Sequence, residues 1–321
     1  MSSIKNITMS VLGAVSAWHP ISISRKRNGL TVFTFHEVSD TPSDFLRQYN
    51  LSTGIDLFKK QIDWIASRFE IISSYDLLSN RIPAHAAMVT FDDGWAGSFE
   101  HAVPYLADNK IPSLHFLNMA FIDSSEPLLP ALIACKSKDK EFLDVMDTAG
   151  LAPPYFLSIT PEILKKYLIQ PNNMNDVLDY QGRSTKTTVL MEWQKNPYVQ
   201  IGNHLYQHWN SAALTPAELT YQYKLNADVL DKYENSVPLF SIPHGQWGSC
   251  FRYADYLLVK SLGAARIFAN CGTVNGDKNS SLLDRINISQ EIVKPSQLDF
   301  RINRSDILFG STLQERVSLN A

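Results

Sequence analysis

The amino-acid sequence predicts an α/β fold in which parallel strands are joined by crossover helices. Three observations carry this reading. Short apolar runs with strand character recur at residues 30–35, 69–72, 87–91, 113–117 and 199–201, helical spacing of apolar residues fills most of the intervals, and pairs of Asp and of His sit just past two of the strands. Such alternation marks crossover connections, and the carboxyl ends of parallel strands are where these folds place their sites. A chain of 321 residues gives a prior of about two domains of ~150 residues, although a barrel of strands and helices absorbs that length as one unit.

Composition narrows the classes. With 45% hydrophobic and 19% charged residues, the chain should fold as a compact globule. Its 29 Lys and Arg against 32 Asp and Glu leave a net charge of -3. There is no bulk basic field to condense on nucleic acid or an anionic membrane, so nucleic acid is not an expected partner. Cys135, Cys250 and Cys271 are far apart and form no C-x-x-C pair, which fits buried or inert thiols and neither a disulfide framework nor a cysteine zinc site. The apolar stretch at 9–18 is half of the ~20 residues that a spanning helix needs, so no transmembrane segment is expected. Lys5 and Val15-Ser16-Ala17 imitate a signal peptide, but Ser10, Gly13 and Ser16 dilute its apolar core; the expected location is cytoplasmic.

Taken in order, residues 1–28 read as a leader ending in Arg25-Lys26-Arg27-Asn28, a solvated basic run. Strand 30–35 leads to a helix at 56–68, with Ile55, Phe58, Ile62 and Ile65 at helical spacing. Strands 69–72 and 87–91, a helix at 99–109 and strand 113–117 continue the alternation. Between 124 and 197 helical patterns dominate, at 128–135, 140–148, 161–168 and 175–180, so this stretch reads as an inserted helical subdomain. Strand 199–201 resumes the rhythm. A helix at 216–233 follows, with Thr215 as its cap, Pro216 in the first helical position and Glu218 completing a capping box. Strand 239–242, helix 253–262, strand 265–269 and a last strand at 283–288 close the pattern. The expected division is a leader at 1–28, a core at 29–123 and 198–300, the insertion at 124–197 and a tail at 301–321.

Two constellations carry chemistry. Thr90-Phe91-Asp92-Asp93-Gly94 ends an apolar strand, and the glycine permits a turn that brings both carboxylates to one site as metal ligand and proton acceptor. Alone, Asp-Asp-Gly is more often ordinary turn chemistry. Asn203-His204-Leu205-Tyr206-Gln207-His208 follows the next clear strand, and histidines at i and i+4 share one face of a helical turn, where they can bind one metal ion. With 8 histidines in the chain, chance alone supplies roughly 0.2 such pairs. The conjunction of both pairs beyond strands is the stronger signal. One Asp and two His make three ligands, leaving positions for water and substrate.

The runs Val89-Thr90-Phe91-Asp92-Asp93-Gly94, Ile201-Gly202-Asn203-His204-Leu205-Tyr206-Gln207-His208 and Ile242-Pro243-His244-Gly245, in that order, resemble the polysaccharide deacetylase family, carbohydrate esterase family 4. Phe35-His36-Glu37-Val38 is similar to the strand end of its exopolysaccharide-acting branch. The resemblance spans about residues 30–290. It implies a distorted (β/α)7 barrel, Asp92 as general base, and Asp93, His204 and His208 as ligands of one divalent metal, zinc first, with cobalt, nickel and manganese as alternatives.

The departures from the family pattern are specific. Leu205 stands where a Ser or Thr commonly braces the loop. Ser241 occupies the position of an Arg that holds the base, and His244 replaces an aromatic residue. The family's late catalytic His has no counterpart, because no histidine follows His244; His244 is therefore the candidate proton donor, with a shuttle through Asp92 as its rival. His36 is a candidate substrate contact or a structural His. Trp95 and Trp209, with Trp247 behind them, are placed to stack on a sugar ring or to pack a wall. Pro243, Gly245 and Arg285 complete the expected substrate contacts by the same resemblance. The expected function is removal of an N-acyl group, acetyl first, from an amino sugar in a surface polysaccharide, oligosaccharide or sugar precursor. A non-catalytic carbohydrate-binding relative is the rival reading, and a deacylase of a small cytosolic sugar or of a formyl amide is the third. The insertion is expected to shape the substrate entrance.

Overall fold

The computed structural model describes residues 29–122, 126–166, 174–304 and 312–318. The basic leader and its signal-like pattern lie outside these residues. Eleven strands are present among them: β1 (Leu30–Phe35), β2 (Glu37–Val38), β3 (Ser52–Thr53), β4 (Glu70–Ile71), β5 (Ala86–Asp93), β6 (Ser113–Leu117), β7 (Val199–Asn203), β8 (Ser236–Ser241), β9 (Arg266–Phe268), β10 (Leu282–Leu283) and β11 (Ile286–Asn287). The main sheet runs β10-β9-β8-β7-β6-β5-β1-β11, parallel throughout, with β4 beside the start of β5. Sequence reasoning expects one strand at 283–288. The structure breaks it at Asp284-Arg285, pairing β10 with β9 and β11 with β1. This divided strand closes the sheet on itself, and the fold is a distorted (β/α) barrel with seven strand positions around its wall.

Strand periodicity decides which side chains enter the barrel, since alternate residues face one side. Leu30, Val32, Met88, Leu114, Phe116 and Leu239 form one buried cluster, with Phe268 and Leu283, in the interior. Phe33, Phe35, Val89 and Phe91, of the opposite parity, pack outward on Phe58, Ile62 and Ile65 of the helix Ile55–Ala66. Each such side chain contributes ~1.5–3 kcal/mol on burial. Extending the inward parity to the carboxyl ends of the strands reaches His36, Asp92, His204, Ser241 and Arg285. The pattern that fills the core therefore also aims the polar residues at the barrel mouth.

Several boundaries differ from expectation for local reasons. The segment read as one helix at 99–109 opens with a π turn, Ser98–Ala102, before the helix Val103–Asp108. Pro104 stands in that helix's first turn and has no N–H to extend the ladder backwards. The helix Pro216–Leu230 has the expected capping box: Thr215 N–H donates to Glu218 Oε2 at 2.8 Å, and Glu218 N–H to Thr215 Oγ1 at 3.3 Å. Between β6 and β7 lie the helices Leu129–Lys136, Lys140–Thr148, Pro161–Lys166, Met174–Gln181 and Thr187–Trp193. The last carries no helix expectation from sequence. The helix Pro295–Arg304 crosses the boundary expected at 300 between core and tail, and the helix Leu313–Ser318 lies in the expected tail, with Leu313 fully buried in the core.

Candidate metal centre and active site

Asp93 ends β5 with φ at +72°, and Gly94 follows at +96°. Gly94 N–H bonds back to Asp92 O at 3.0 Å, and a Cβ on Gly94 would stand 2.7 Å from Ile122 Cδ1. Only glycine fits there. The turn leaves Asp92 pointing into the barrel and swings Asp93 across its mouth. The histidine pair converges differently from the sequence expectation. Residues 204–208 form an irregular loop and not a helical turn, with left-handed kinks at Leu205 (φ +61°) and His208 (φ +56°). Leu205 is buried in the core, so it cannot brace the loop as a hydroxyl would. Asparagines do so instead: Asn118 Nδ2 donates to the carbonyls of His204 and Leu205, and Asn203 Oδ1 accepts from Leu205 N–H at 2.9 Å and from Asn226 Nδ2 at 2.8 Å.

Ligand atoms of Asp93, His204 and His208 all lie within 4.8 Å of one another. His204 Nδ1–H donates to Ser241 O at 2.8 Å, which fixes the tautomer and leaves the Nε2 lone pair facing the site. The Trp95 indole N–H donates to Asp93 Oδ2 at 2.8 Å. Asp93 Oδ1 is buried without a hydrogen bond, 3.2 Å from His208 Nε2 and 3.6 Å from His204 Nε2. Lone-pair donors crowded this closely repel one another unless a cation lies among them, and this oxygen and nitrogen set suits zinc or a similar divalent ion. Burial pushes His204 down to about 4, so its imidazole is neutral and able to ligate. Burial alone would raise Asp93, but His208 first and then His36 outweigh it and keep the carboxyl well below its ordinary range.

Asp92 is held by the residue that the sequence reading placed among the substrate contacts. Arg285 Nη1 and Nη2 grip Asp92 Oδ1 and Oδ2 at 2.6 and 2.8 Å. Arg285 is fully buried and therefore cannot be a substrate contact. Its Nη2 also donates to Ser241 Oγ at 2.7 Å and its Nε to Ala269 O at 3.0 Å. The guanidinium thus reaches from the broken strand into the space that an Arg at position 241 would occupy. Asp284 makes the break rigid by accepting from the N–H groups of Cys271, Thr273 and Arg285. Burial pushes Asp92 up, yet the charge and hydrogen bonds of Arg285 overrule it and keep the carboxyl below its ordinary range.

A cavity of about 290 Å³ opens over these groups and is lined by His36, Asp92, Asp93, His204, His208 and His244 among others. Other sequence candidates fall outside it. Trp95 is fully buried on Phe121 and Phe45 and serves Asp93; Trp209 is 4% exposed in the core, and Trp247 packs on Phe251. Neither Pro243 nor Gly245 lines the cavity; they form the turn that presents His244, where Gly245 (φ +71°) bonds Pro243 O at 2.7 Å and a Cβ would meet Asn270 N at 2.6 Å. The His244 ring lies against His208 and Phe156, with Nε2 buried and unpartnered, and burial holds its pKa well below the usual value. Sequence reasoning missed Phe45, Tyr49 and Phe156 on the cavity wall. It also missed Arg285 as the partner of Asp92, although a charged pair inside an apolar strand was the available signal.

The polysaccharide deacetylase family model matches residues 79–258, more than half of the chain. No curated protein matches it. Among solved structures, the deacetylase PplD of Streptococcus pyogenes, in complex with acetate, superposes with a TM-score of 0.57 at 14% identity, covering 85% of this chain and 97% of the other. IcaB from Ammonifex degensii gives 0.56 at 16% identity over 85% and 96%. A de-N-acetylase from Aggregatibacter actinomycetemcomitans gives 0.56 at 13% over 84% and 99%. At these identities the neighbours establish the fold, and the family match over the strands that carry Asp92, Asp93, His204 and His208 establishes the lineage: the chain belongs to the polysaccharide deacetylase family and is a carbohydrate N-deacetylase, a hydrolase of amide bonds.

Proposed function

We propose that the protein removes an N-acyl group, acetyl first, from an amino sugar, using one divalent metal ion held by Asp93, His204 and His208, with Asp92 as the general base. The observation that supports this most is the adjacency of two differently prepared carboxylates. Asp93 offers a free oxygen to two imidazoles, whereas both oxygens of Asp92 are gripped by Arg285 only 3.8 Å from His204 Nε2. A divalent ion in the first set supplies Lewis acidity, lowering the pKa of water from about 15.7 toward 7 and polarising the acyl oxygen.

Asp92 then has to accept a proton at a fixed position. Its depressed pKa makes it a weak base but keeps it ionised, and Arg285 holds its plane so that proton transfer needs no reorientation. The leaving amine must be protonated. His244 is close but buried and neutral at rest, so it can give a proton only after receiving one. Asp92 carries the proton it has just taken and can return it directly. His36, half-buried, also lines this cavity. The non-catalytic rival rests on a missing acid as well as a missing base-holding Arg, and the grip of Arg285 on Asp92 speaks against the second of these grounds. The cytoplasmic placement rests on residues 1–28, which are not described. A panel of N-acetylated and N-formylated amino sugars and oligosaccharides, with mass detection of the deacylated product, tests the reading. We expect loss of an acyl mass from amino sugars; no mass change on any of them would contradict it.

A further inference from the structure

The cavity wall is asymmetric. One part is aromatic: Phe156 stacks on His244 with ring centroids 5.3 Å apart and an interplanar angle of 24°, and meets Tyr49 edge-on at 5.7 Å. Tyr49 packs on Phe45 at 5.0 Å, and Phe45 on Trp95 at 6.1 Å, whose indole N–H is bonded to Asp93. This arc of rings runs from one side of the metal centre to the other. A second part of the wall is lined by the amide residues Gln246, Asn270 and Asn287.

Phe156 comes from the long connection between β6 and β7, and that connection is fastened to the site at several points. Asn210, two residues past His208, donates from Nδ2 to Leu157 O. Thr185 N–H donates to Gly94 O at 2.8 Å, and Ala96 N–H to Arg183 O at 3.0 Å. Tyr180 Oη donates to Gln48 Oε1 at 2.9 Å, which steadies the short helix Asp44–Gln48 beside Tyr49. The ring is therefore part of a fixed wall and not of a loose loop.

We propose that Phe156, with Tyr49, closes the site into a compartment for a single N-acylated amino-sugar unit, either a free sugar derivative or the end of a chain, and so sets substrate length. The proposal rests on the deacetylase reading above and deepens it. A volume of about 290 Å³ lies at the bottom of the ~300–1,000 Å³ range of small-molecule sites. An internal unit of a polymer carries neighbours on both sides and needs an open groove. The chemistry of the wall suits one ring: C–H faces against Phe156 and Tyr49, hydroxyls toward the amides.

The test uses the full chain loaded with zinc, as wild type, Phe156→Ala and Phe156→Tyr, with circular dichroism and zinc content confirming fold and site. N-acetylglucosamine, its trimer and its pentamer are the probes, and fragment-ion mass spectrometry locates each deacetylated unit. Wild type and Phe156→Tyr should remove one acetyl per chain, from an end unit or from the free sugar, and the monomer arm distinguishes these two sources. Phe156→Ala should raise KM for the monomer and increase deacetylation of internal units at least about tenfold, the low end of what one pocket contact discriminates. Internal deacetylation by wild type at the rate of the ends, or a wild-type product pattern from folded, zinc-loaded Phe156→Ala, would overturn the proposal. Absence of acetate from every probe with every zinc-loaded protein would instead overturn the deacetylase reading.

Discussion

Asp92 and Asp93 are neighbours in sequence, yet their surroundings assign them different work. Both are buried, and burial of a carboxylate is unfavourable unless it is paired. Asp92 has Arg285; Asp93 has Trp95 on one oxygen and two imidazoles on the other. Asp92→Asn should therefore retain stoichiometric zinc while losing ~10² to 10⁴ in rate, the usual worth of a positioned base. Metal analysis and turnover on the same preparation check this, and near-normal turnover would remove Asp92 from the base role. At His244 the expectation is set by its buried, unpartnered Nε2. If Asp92 returns the proton itself, His244→Phe should leave the alkaline limb of the pH–rate profile in place; loss of that limb would make His244 the donor. The residues proposed to do the chemistry could be picked out because they fall at strand ends in a recognisable order, and the structure brings Asp93, His204 and His208 together. What braces them was not legible, because Asn118 and Asn226 act across 86 and 23 residues respectively, to His204 and Asn203, and nothing local marks such pairs.

The element with the largest consequence is the divided last strand. Asp284 accepts three backbone N–H groups and the chain breaks there, while Arg285 keeps the inward parity of Leu283 and so faces Asp92. Arg285 lies 16 residues from Ala269 and 193 from Asp92, so its role depends on barrel closure and not on any local motif. Breaking the pair by Arg285→Met leaves a buried carboxylate without its counter-charge and should cost about 3–5 kcal/mol, read as a fall in urea midpoint. The double variant with Asp92→Asn should recover most of that loss, since both partners are then neutral. Additive losses in the double variant would deny the coupling. Four of the five helices named between β6 and β7 were readable from apolar spacing; Thr187–Trp193 was not, nor was the attachment to the turn after Asp93, because backbone bonds such as Thr185 N–H to Gly94 O carry no sequence signature.

For the whole molecule, the alternation of strands and helices and the inward parity of apolar residues made the barrel readable; its closure and its C-terminal helices emerge only from packing. One consequence of that packing is a pH dependence of stability. His115 on β6 is buried against Phe91 with rings 4.7 Å apart, and burial pushes it down to about 3. In the unfolded chain it takes a proton near its ordinary value of 6.5, so its contribution is complete above pH 6.5 and is lost as pH falls toward 3. Glu37 acts in the opposite sense: burial raises it to about 8, so its contribution is present below its ordinary 4.5 and is lost as pH rises through 8. In chelator-treated protein, His115→Phe should flatten the acid limb of urea midpoint against pH; an unchanged limb would show that His115 is not its source. The central claim is that this barrel is a metal-dependent N-deacetylase whose ion sits on Asp93, His204 and His208. The most direct measurement is acetate release from an N-acetylated amino sugar by purified protein before chelation, after chelation and after return of one equivalent of zinc, in wild type and His204→Ala. We expect release to stop on chelation and to return with zinc in wild type only; undiminished release by metal-free protein, or restoration by zinc in His204→Ala equal to that in wild type, would contradict the account.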